Sequence, residues 1–334
     1  MLAQRLHGQG PADQDSLSLE EVPKPEPGPG QVRIEIKYCG VCHTDLHIVE
    51  GDIHPPRLPL TPGHQVVGVI NALGKGVSER ESGQRVGVPW LYDTCGECQY
   101  CQTGRENLCK DARFTGFDAN GGFAEYMLAE AGFTLPIPDS ISDRDAAPLL
   151  CAGIIGYRSL HRAELQPGER LGLFGFGASA HLAIQVAHHW DCEVYVFTRS
   201  EEHRRHAEEL GAAWVGGAKN TPPKELDRAV TFAPVGWIVP RALEKLRRGG
   251  TLAINAVSLS PIPELDYQLI YYERTLTSVA NATYQDGIEF LDLAAEIPIT
   301  PTTTLYPLAE ANQALLDIKH SRLNGEAVLE IKGN

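Results

Sequence analysis

The chain has 334 residues, of which 43% are hydrophobic and 22% are charged, and this balance is typical of a globular protein with more than one domain. The formal charge of −14 argues against a nucleic-acid partner, because phosphate binding needs clustered lysine and arginine. The start, MLAQRLHGQG, lacks an apolar signal core, and Ser179 and His181 interrupt the most apolar run, so we expect a cytoplasmic protein without a membrane span.

The first 150 residues contain short strand patterns separated by Gly/Pro loops. From 31 to 37, QVRIEIK alternates Val32, Ile34 and Ile36 with polar neighbours, which is the period of a half-buried strand. The segments HQVVGVINALG and QRVGVPW have a similar composition, and helical patterns are scarce. We therefore predict a β-rich domain over 1–150.

After about residue 150, apolar strands alternate with helical patterns. The order is strand RLGLFGFG, helix SAHLAIQVAHHW, strand EVYVFT, helix EEHRRHAEELG, strand DRAVTFA, helix PRALEKLRRGG and strand TLAINAV. This βαβ alternation predicts a doubly wound parallel sheet. The final stretch, from about 290, cannot be assigned to either domain by its pattern alone.

Four cysteines lie close together in CGECQYCQTGRENLC, namely Cys95, Cys98, Cys101 and Cys109. Their spacings favour one tetrahedral zinc ion held by four thiolates. Disulfides or an iron–sulfur cluster are the alternatives, and the short spacings suit a shared metal better than strained short-loop disulfides. Four sulfurs leave no open position on the metal, so we expect this zinc to be structural.

A second set of metal-binding residue types is dispersed along the chain: Cys42 in CGVCHTDLH, His64 in LTPGHQVVG and Cys151 in PLLCAGIIGY. Taken singly, such a cysteine is commonly a small core residue and such a histidine a loop residue. Jointly they would supply two thiolates and one imidazole, with a fourth position open for water or substrate, as in a catalytic zinc site. Their spacing does not by itself show that they meet.

The segment LFGFGASAH follows a predicted buried strand and opens a predicted helix. It places Gly175, Gly177 and Ala180 in a pattern typical of dinucleotide binding. The glycines would permit a tight turn and a close approach to a pyrophosphate, which a helix N-terminus favours electrostatically. A plain βα turn of small residues is the alternative.

The end of the next strand bears on the choice of cofactor. An NAD site usually carries Asp or Glu there for the ribose 2′-hydroxyl, whereas this chain has Thr198, Arg199 and Ser200. Two hydroxyls and a guanidinium suit the 2′-phosphate of NADP, with His203 nearby, so we expect NADP(H) to be preferred over NAD(H). An exposed arginine at a helix start is the alternative.

Taken in order, CGVCHTDLH, PGHQVVG, CGECQYCQTGRENLC, LLCAG and the glycine loop resemble the medium-chain, zinc-dependent alcohol dehydrogenase family over essentially the whole chain. The resemblance implies a GroES-like β-rich catalytic domain over 1–150 that carries two zinc sites. It further implies a Rossmann dinucleotide-binding domain over 151–288, with 289–334 returning to complete the first domain. One catalytic and one structural zinc per chain, and a homo-oligomer such as a dimer or tetramer, are also expected.

The resemblance implies roles within CGVCHTDLH. Cys42 would bind the catalytic zinc together with His64 and Cys151. Asp45 would accept a hydrogen bond from the other ring nitrogen of His64 and so fix its tautomer. Cys39 would take no part.

Three further residues of this stretch would contact the substrate, the cofactor or the transferred proton. Thr44 falls at the family position whose hydroxyl contacts the substrate alcohol, and His47 falls at the outer end of the family's proton relay. His43 falls at the position that faces the cofactor pyrophosphate. Trp90 falls where a family aromatic lines the substrate cleft, which would favour primary alcohols or aldehydes. Packing in a half-buried strand is the alternative for Trp90.

The sequence departs from the family pattern at two positions. Gln65 follows His64 where the family usually has glutamate, and Glu326 stands where many relatives have a phosphate-contacting arginine. The first change should leave zinc with the charge of two thiolates only. The second should leave pyrophosphate binding to the glycine loop and His43.

The sequence therefore predicts a zinc-dependent alcohol dehydrogenase or aldehyde reductase that transfers hydride reversibly between a primary alcohol and NADP(H). One alternative is an NAD-dependent enzyme acting on small primary alcohols. A zinc-free quinone or enone reductase is another, against which Cys42, His64 and Cys151 argue. A catalytically decayed zinc-binding protein on a dehydrogenase fold is the third.

Overall fold

The computed structural model describes residues 1–297, 299–323 and 325–331. The strands are β1 (Leu2–Leu6), β2 (Leu17–Glu21), β3 (Gln31–Val41), β4 (Gln65–Leu73), β5 (Arg85–Val88), β6 (Leu91–Asp93), β7 (Arg113–Phe114), β8 (Tyr126–Glu130), β9 (Leu135–Pro136), β10 (Arg170–Phe174), β11 (Glu193–Phe197), β12 (Trp214–Gly216), β13 (Leu226–Thr231), β14 (Leu246–Ile254), β15 (Thr275–Ser278), β16 (Thr303–Pro307) and β17 (Glu326–Glu330). The α-helices are α1 (His43–Glu50), α2 (Asp143–Pro148), α3 (Ile154–Arg162), α4 (Ala178–His189), α5 (Glu201–Glu209), α6 (Ile238–Lys245), α7 (Gln268–Tyr271), α8 (Tyr284–Glu296) and α9 (Ala311–Lys319). A π-helical turn spans Leu149–Gly153.

The chain forms two units. The first comprises Met1–Cys151 and the C-terminal segment from Asn281, and the second comprises Ala152–Ala280. The sequence placed the second boundary after residue 288, which would cut the continuous helix α8. Thr283 caps that helix by accepting a hydrogen bond from the Asp286 backbone N–H, so the whole of α8 belongs to the first unit.

The first unit is built around β3. Its main sheet has the order β16-β17-β3-β4-β5-β9, and β8 also pairs with β3. Val32, Ile34 and Ile36 are fully buried and alternate with partly exposed neighbours, as the sequence pattern predicted. The strand runs further than predicted, to Val41, and its end leads directly into Cys42 and α1.

The second unit contains a six-stranded sheet of order β12-β11-β10-β13-β14-β15 whose pairs are all parallel. This confirms the predicted doubly wound parallel sheet of a Rossmann domain. One predicted element was wrong at its end, because helix PRALEKLRRGG was taken to run to residue 250. The helix α6 ends at Lys245, and fully buried Leu246 already pairs with Leu226 of β13.

Throughout residues 1–297, 299–323 and 325–331, every helix lacks the length and apolar character needed to cross a membrane.

Candidate metal and cofactor sites

The four cysteines of the CGECQYC lobe converge on one point. The sulfur separations are 3.5 Å for Cys98–Cys101, 3.6 Å for Cys95–Cys109 and 3.9 Å for Cys95–Cys101. Four sulfurs on a tetrahedral zinc ion lie roughly 3.8 Å apart, since each Zn–S bond is about 2.3 Å. These distances also exceed the roughly 2.0 Å of a disulfide bond, so the sulfur set fits a shared metal.

Local backbone geometry holds this lobe. The backbone N–H of Cys98 donates to Cys95 Sγ at 3.4 Å, and such bonds favour the thiolate that a metal needs. Gly96 and Gly104 adopt left-handed φ values of 72° and 65°, which turn the chain tightly between cysteines. Consecutive tight turns therefore bring these cysteines together.

The dispersed set also comes together, within the first unit. The ligand atoms of Cys42, His64 and Cys151 all lie within 4.8 Å of one another, and Cys42 Sγ is 3.4 Å from His64 Nε2. Cys42 stands between β3 and α1, His64 immediately precedes β4, and Cys151 lies in the π-helical turn. Two sulfurs and one nitrogen in this arrangement can hold a zinc ion and leave one position free for substrate.

A buried carboxylate orients this cluster. Asp45 is fully buried, and its Oδ1 accepts from His64 Nδ1 at 3.2 Å and from the Gly63 backbone N–H at 3.1 Å. Its Oδ2 accepts from the Cys42 backbone N–H at 3.0 Å. With Nδ1 engaged by Asp45, His64 Nε2 is the nitrogen presented to Cys42 and to a metal.

The electrostatics of the Cys42, His64 and Cys151 cluster also favour the binding of a cation. Burial lowers the pKa of His64, but Asp45 and Cys42 raise it, and the net pKa lies well above its ordinary value. A hydrogen bond with Cys151 and burial raise the pKa of the Cys42 thiol well above its usual range. Both shifts favour the protonated forms of these side chains, so binding of a divalent cation would be coupled to release of protons.

Aromatic rings line one side of the cluster. Trp90 is half-buried, meets His64 edge-on at a centroid distance of 5.0 Å, and stacks on Phe114 at 4.9 Å. Phe117 lies 6.0 Å from the same indole. The sequence analysis named Trp90 only, although the two phenylalanines of RFTGF, directly after the cysteine lobe, were a signal for the rest of this wall.

The helix α1 carries the remaining residues of the opening motif. The Thr44 backbone N–H donates to Cys42 Sγ at 3.3 Å, and His43 is exposed. His47 Nδ1 lies 2.6 Å from Asp52 Oδ2. Asp52 was not recognised from the sequence, and the left-handed Gly51 after α1, with φ of 89°, turns the chain so that Asp52 meets His47.

The two departures from the family pattern lie next to the metal cluster. Gln65 is fully buried and Glu326 is 3% exposed, and their side-chain polar atoms have no hydrogen-bond partner among the described residues. Burial raises the pKa of Glu326 to about 8, although Gln65 and His64 lower it in part. Glu326 is thus an interior residue of the first unit.

In the second unit, the glycine loop links β10 to α4. Gly175 has φ of +90°, and a Cβ there would lie 3.0 Å from the Ala233 backbone nitrogen, so glycine is needed. Gly177 caps α4, and a Cβ there would project into open space, while Ala180 is fully buried. This leaves room for a phosphate at the N-terminus of a twelve-residue helix.

The turn after β11 holds the predicted cofactor-selecting residues. Ser200 caps α5, with its Oγ accepting from the His203 backbone N–H at 3.3 Å, and Thr198 is buried. Arg199 is exposed, whereas Arg204 donates from Nε to the Thr198 carbonyl at 3.2 Å. Arg204, missed in the sequence analysis, therefore supports this turn, and the Arg199 guanidinium faces solvent.

Comparison with known proteins bears on these sites. Residues 28–139 match the family model of the alcohol dehydrogenase GroES-like domain, and residues 180–296 match that of the zinc-binding dehydrogenases. The chain belongs to the zinc-dependent medium-chain alcohol dehydrogenase family. This confirms the predicted family and its class of activity, an oxidoreductase.

Individual members of this family resemble the whole chain. A Mycobacterium tuberculosis protein described as "Probable alcohol dehydrogenase AdhA" is 47% identical and covers 99% of this chain and 97% of its own length. An alcohol dehydrogenase of Geobacillus stearothermophilus is 35% identical, covering 95% and 96%. A solved structure of CAD from Helicobacter pylori complexed with NADP(H) has a TM-score of 0.88 at 25% identity and covers 99% of both chains.

Proposed function

We propose that this enzyme transfers hydride reversibly between a primary alcohol and NADP(H), with one catalytic and one structural zinc ion per chain. The observation that carries the proposal is the convergence of Cys42, His64 and Cys151 around a histidine whose tautomer Asp45 fixes. Relatives named as alcohol dehydrogenases support an alcohol or its aldehyde as substrate.

The donor set fits zinc at both sites. Cys42, His64 and Cys151 would hold the catalytic ion, and the four-cysteine lobe would hold the structural ion. Zinc supplies a Lewis acid for the substrate oxygen, and the nicotinamide supplies or accepts the hydride. The protein's part is to orient the donors and to move the hydroxyl proton.

Proton movement is assigned to two side chains of α1. The Thr44 hydroxyl accepts the proton of the substrate alcohol and passes it toward His47. Asp52 engages His47 at Nδ1, so Nε2 of that ring is left to exchange the proton with solvent. Aldehyde reduction runs the same transfers in reverse.

The cofactor is assigned to the second unit. Gly175, Gly177 and Ala180 would admit the pyrophosphate at the N-terminus of α4. Thr198, Arg199 and Ser200 would bind the 2′-phosphate. The relative from Helicobacter pylori that was solved with NADP(H) supports this choice of cofactor.

The aromatic wall of Trp90, Phe114 and Phe117 would restrict the carbinol carbon on one side. A flat apolar surface beside the metal favours primary alcohols and aldehydes, including those with aromatic groups. Reduction of aldehydes is therefore included in the proposed activity.

The assembly and location are part of the same proposal. Strand β15 ends the second unit's sheet order, and Tyr267 and Tyr271 near it are 63% and 54% exposed. An edge strand with exposed aromatic neighbours favours pairing with a second copy, as a homo-oligomer. All eight cysteines of the described chain are outside disulfide bonds, which suits a reducing compartment such as the cytoplasm.

Initial rates of benzyl alcohol oxidation with NADP and NAD, measured in parallel, test the proposal. The zinc-loaded enzyme should turn over with both and faster with NADP. Cys42→Ser should abolish turnover, whereas Cys39→Ala, which changes a neighbouring buried thiol outside the cluster, should retain it. Absence of turnover with either cofactor contradicts the activity, and faster turnover with NAD contradicts the cofactor assignment.

A further inference from the structure

Gln65 and Glu326 lie on two strands that flank the same strand, β3. Gln65 of β4 pairs with Gly40 of β3 on one side, and Val328 of β17 pairs with Gly40 on the other. Side chains at directly opposed positions share a face of the sheet, and so do residues two apart along a strand. Glu326 is two residues from Val328, so it shares a face with Gln65.

Gly40 provides the space between these two side chains. A Cβ at Gly40 would lie 2.8 Å from Gln65 Cδ and 2.9 Å from Gln65 Nε2, so the Gln65 side chain lies directly over the bare backbone of β3. A larger residue at position 40 would have to displace the Gln65 side chain from this place. The amide of Gln65 therefore extends across β3 toward the strand that carries Glu326.

The position of Glu326 along β17 places it at the metal cluster. Ala327 pairs with Val41 across the antiparallel strands β17 and β3. Glu326 therefore lies opposite Cys42, the residue that follows Val41. His64 and Asp45 are close enough to influence the Glu326 carboxyl electrostatically. The carboxyl thus lies near the residues that would hold the catalytic cation.

Burying a carboxyl is costly even with the Gln65 amide beside it, and natural interiors rarely keep one without a function. Carboxylate oxygens are zinc ligands, and the cluster has three strong donors already. A permanent carboxylate ligand would close the position that substrate needs. A carboxylate that binds only while another ligand is detached would not.

We propose that Glu326, steadied across Gly40 by Gln65, is a transient oxygen donor to the cation at the Cys42, His64 and Cys151 site and speeds its uptake and release. The inference rests on the proposed function, since it requires a metal at that site. The two departures from the family pattern then form one feature, in which β17 supplies the carboxylate that position 65 lacks.

Release of zinc from the loaded enzyme to a chromogenic chelator tests this proposal. The release phase that disappears in Cys42→Ser belongs to the three-residue site, and the four-cysteine site serves as an internal reference. Glu326→Gln should slow the former about tenfold, in the range that residues behind metal ligands commonly contribute, and leave the latter unchanged. Glu330→Gln, on the same strand, should release zinc at the wild-type rate.

A double variant that exchanges the carboxyl and the amide between positions 65 and 326 provides a second test. The double variant Gln65→Glu/Glu326→Gln keeps one acid and one amide in the same space and should restore release to near the wild-type rate. Unchanged or faster release in Glu326→Gln, or a double variant as slow as the single one, would overturn the inference and leave the proposed function intact. Wild-type enzyme that holds zinc only at the four-cysteine site would overturn both.

Discussion

The carboxylate of Asp45 lies 3.2 Å from Nδ1 of His64, and the same side chain accepts the backbone N–H of Cys42 at 3.0 Å. One buried group therefore sets the orientation of two of the three residues in the candidate catalytic metal cluster. We expect Asp45→Asn, which keeps the shape but loses the charge, to lower zinc affinity at that cluster by about 10- to 100-fold. Zinc retained after dialysis against a weak chelator measures this, with the four-cysteine zinc as the reference.

The contact between His47 and Asp52 leads to a prediction for pH dependence. Only a neutral imidazole can accept the proton, so the rate of alcohol oxidation should fall as pH is lowered through the range where histidine becomes charged. His47→Ala should slow oxidation and remove this acid limb. Asp52→Asn should slow oxidation less than His47→Ala does, since it replaces the carboxylate that orients the ring and leaves the imidazole in place. An unchanged rate and limb in His47→Ala would contradict the relay.

Cofactor preference should depend on the exposed guanidinium after β11. Arg199→Glu removes a charge-assisted contact to the 2′-phosphate and adds repulsion, so kcat/KM with NADP should fall about 10- to 100-fold. The value with NAD should change little, because NAD lacks that phosphate. Arg241→Glu on α6 is the matched control, and an equal loss with both cofactors in Arg199→Glu would contradict the assignment.

The second unit contains an ionic cluster that should govern its stability in acid. Asp227 Oδ2 accepts from Arg170 Nε at 2.8 Å, and Oδ1 accepts from Arg247 Nε at 2.5 Å. Burial alone raises the pKa of Asp227, but these partners lower it to about 2. Because the folded-state pKa is depressed, the stabilisation is present above the ordinary value of 3.8 and is lost as pH falls toward 2.

This cluster gives a stability prediction. Asp227→Asn should lower the free energy of unfolding by about 2 kcal/mol at pH 7, and the difference from wild type should shrink below pH 4. Denaturant unfolding at pH 7 and at pH 3 measures both values. An equal difference at the two pH values would show that lost packing, and not the charge, is responsible.

The parts of the structure that follow local rules were predictable from sequence. Alternation at Val32, Ile34 and Ile36 identified β3, and the alternating strands and helices after residue 150 identified the parallel sheet. Both depend on neighbours within a few residues. The end of α6 was missed because Leu246 is held by a distant partner, Leu226, and residue pattern alone does not report that pairing.

The site required contacts between residues far apart in sequence. Cys42, His64 and Cys151 were grouped by residue type and then by a family resemblance, since spacing does not determine whether they meet. The relation between Gln65 and Glu326 was invisible for the same reason. It depends on two strands lying on either side of Gly40, and the sequence analysis interpreted each as a separate substitution.

The central claim is that Cys42, His64 and Cys151 hold a zinc ion in addition to the one held by the four-cysteine lobe. The most direct test is the zinc content of the freshly purified enzyme and of its Cys42→Ser variant. We predict two zinc ions per chain in the wild type and one in the variant. One zinc ion per chain in both proteins would contradict the claim and, with it, the proposed mechanism.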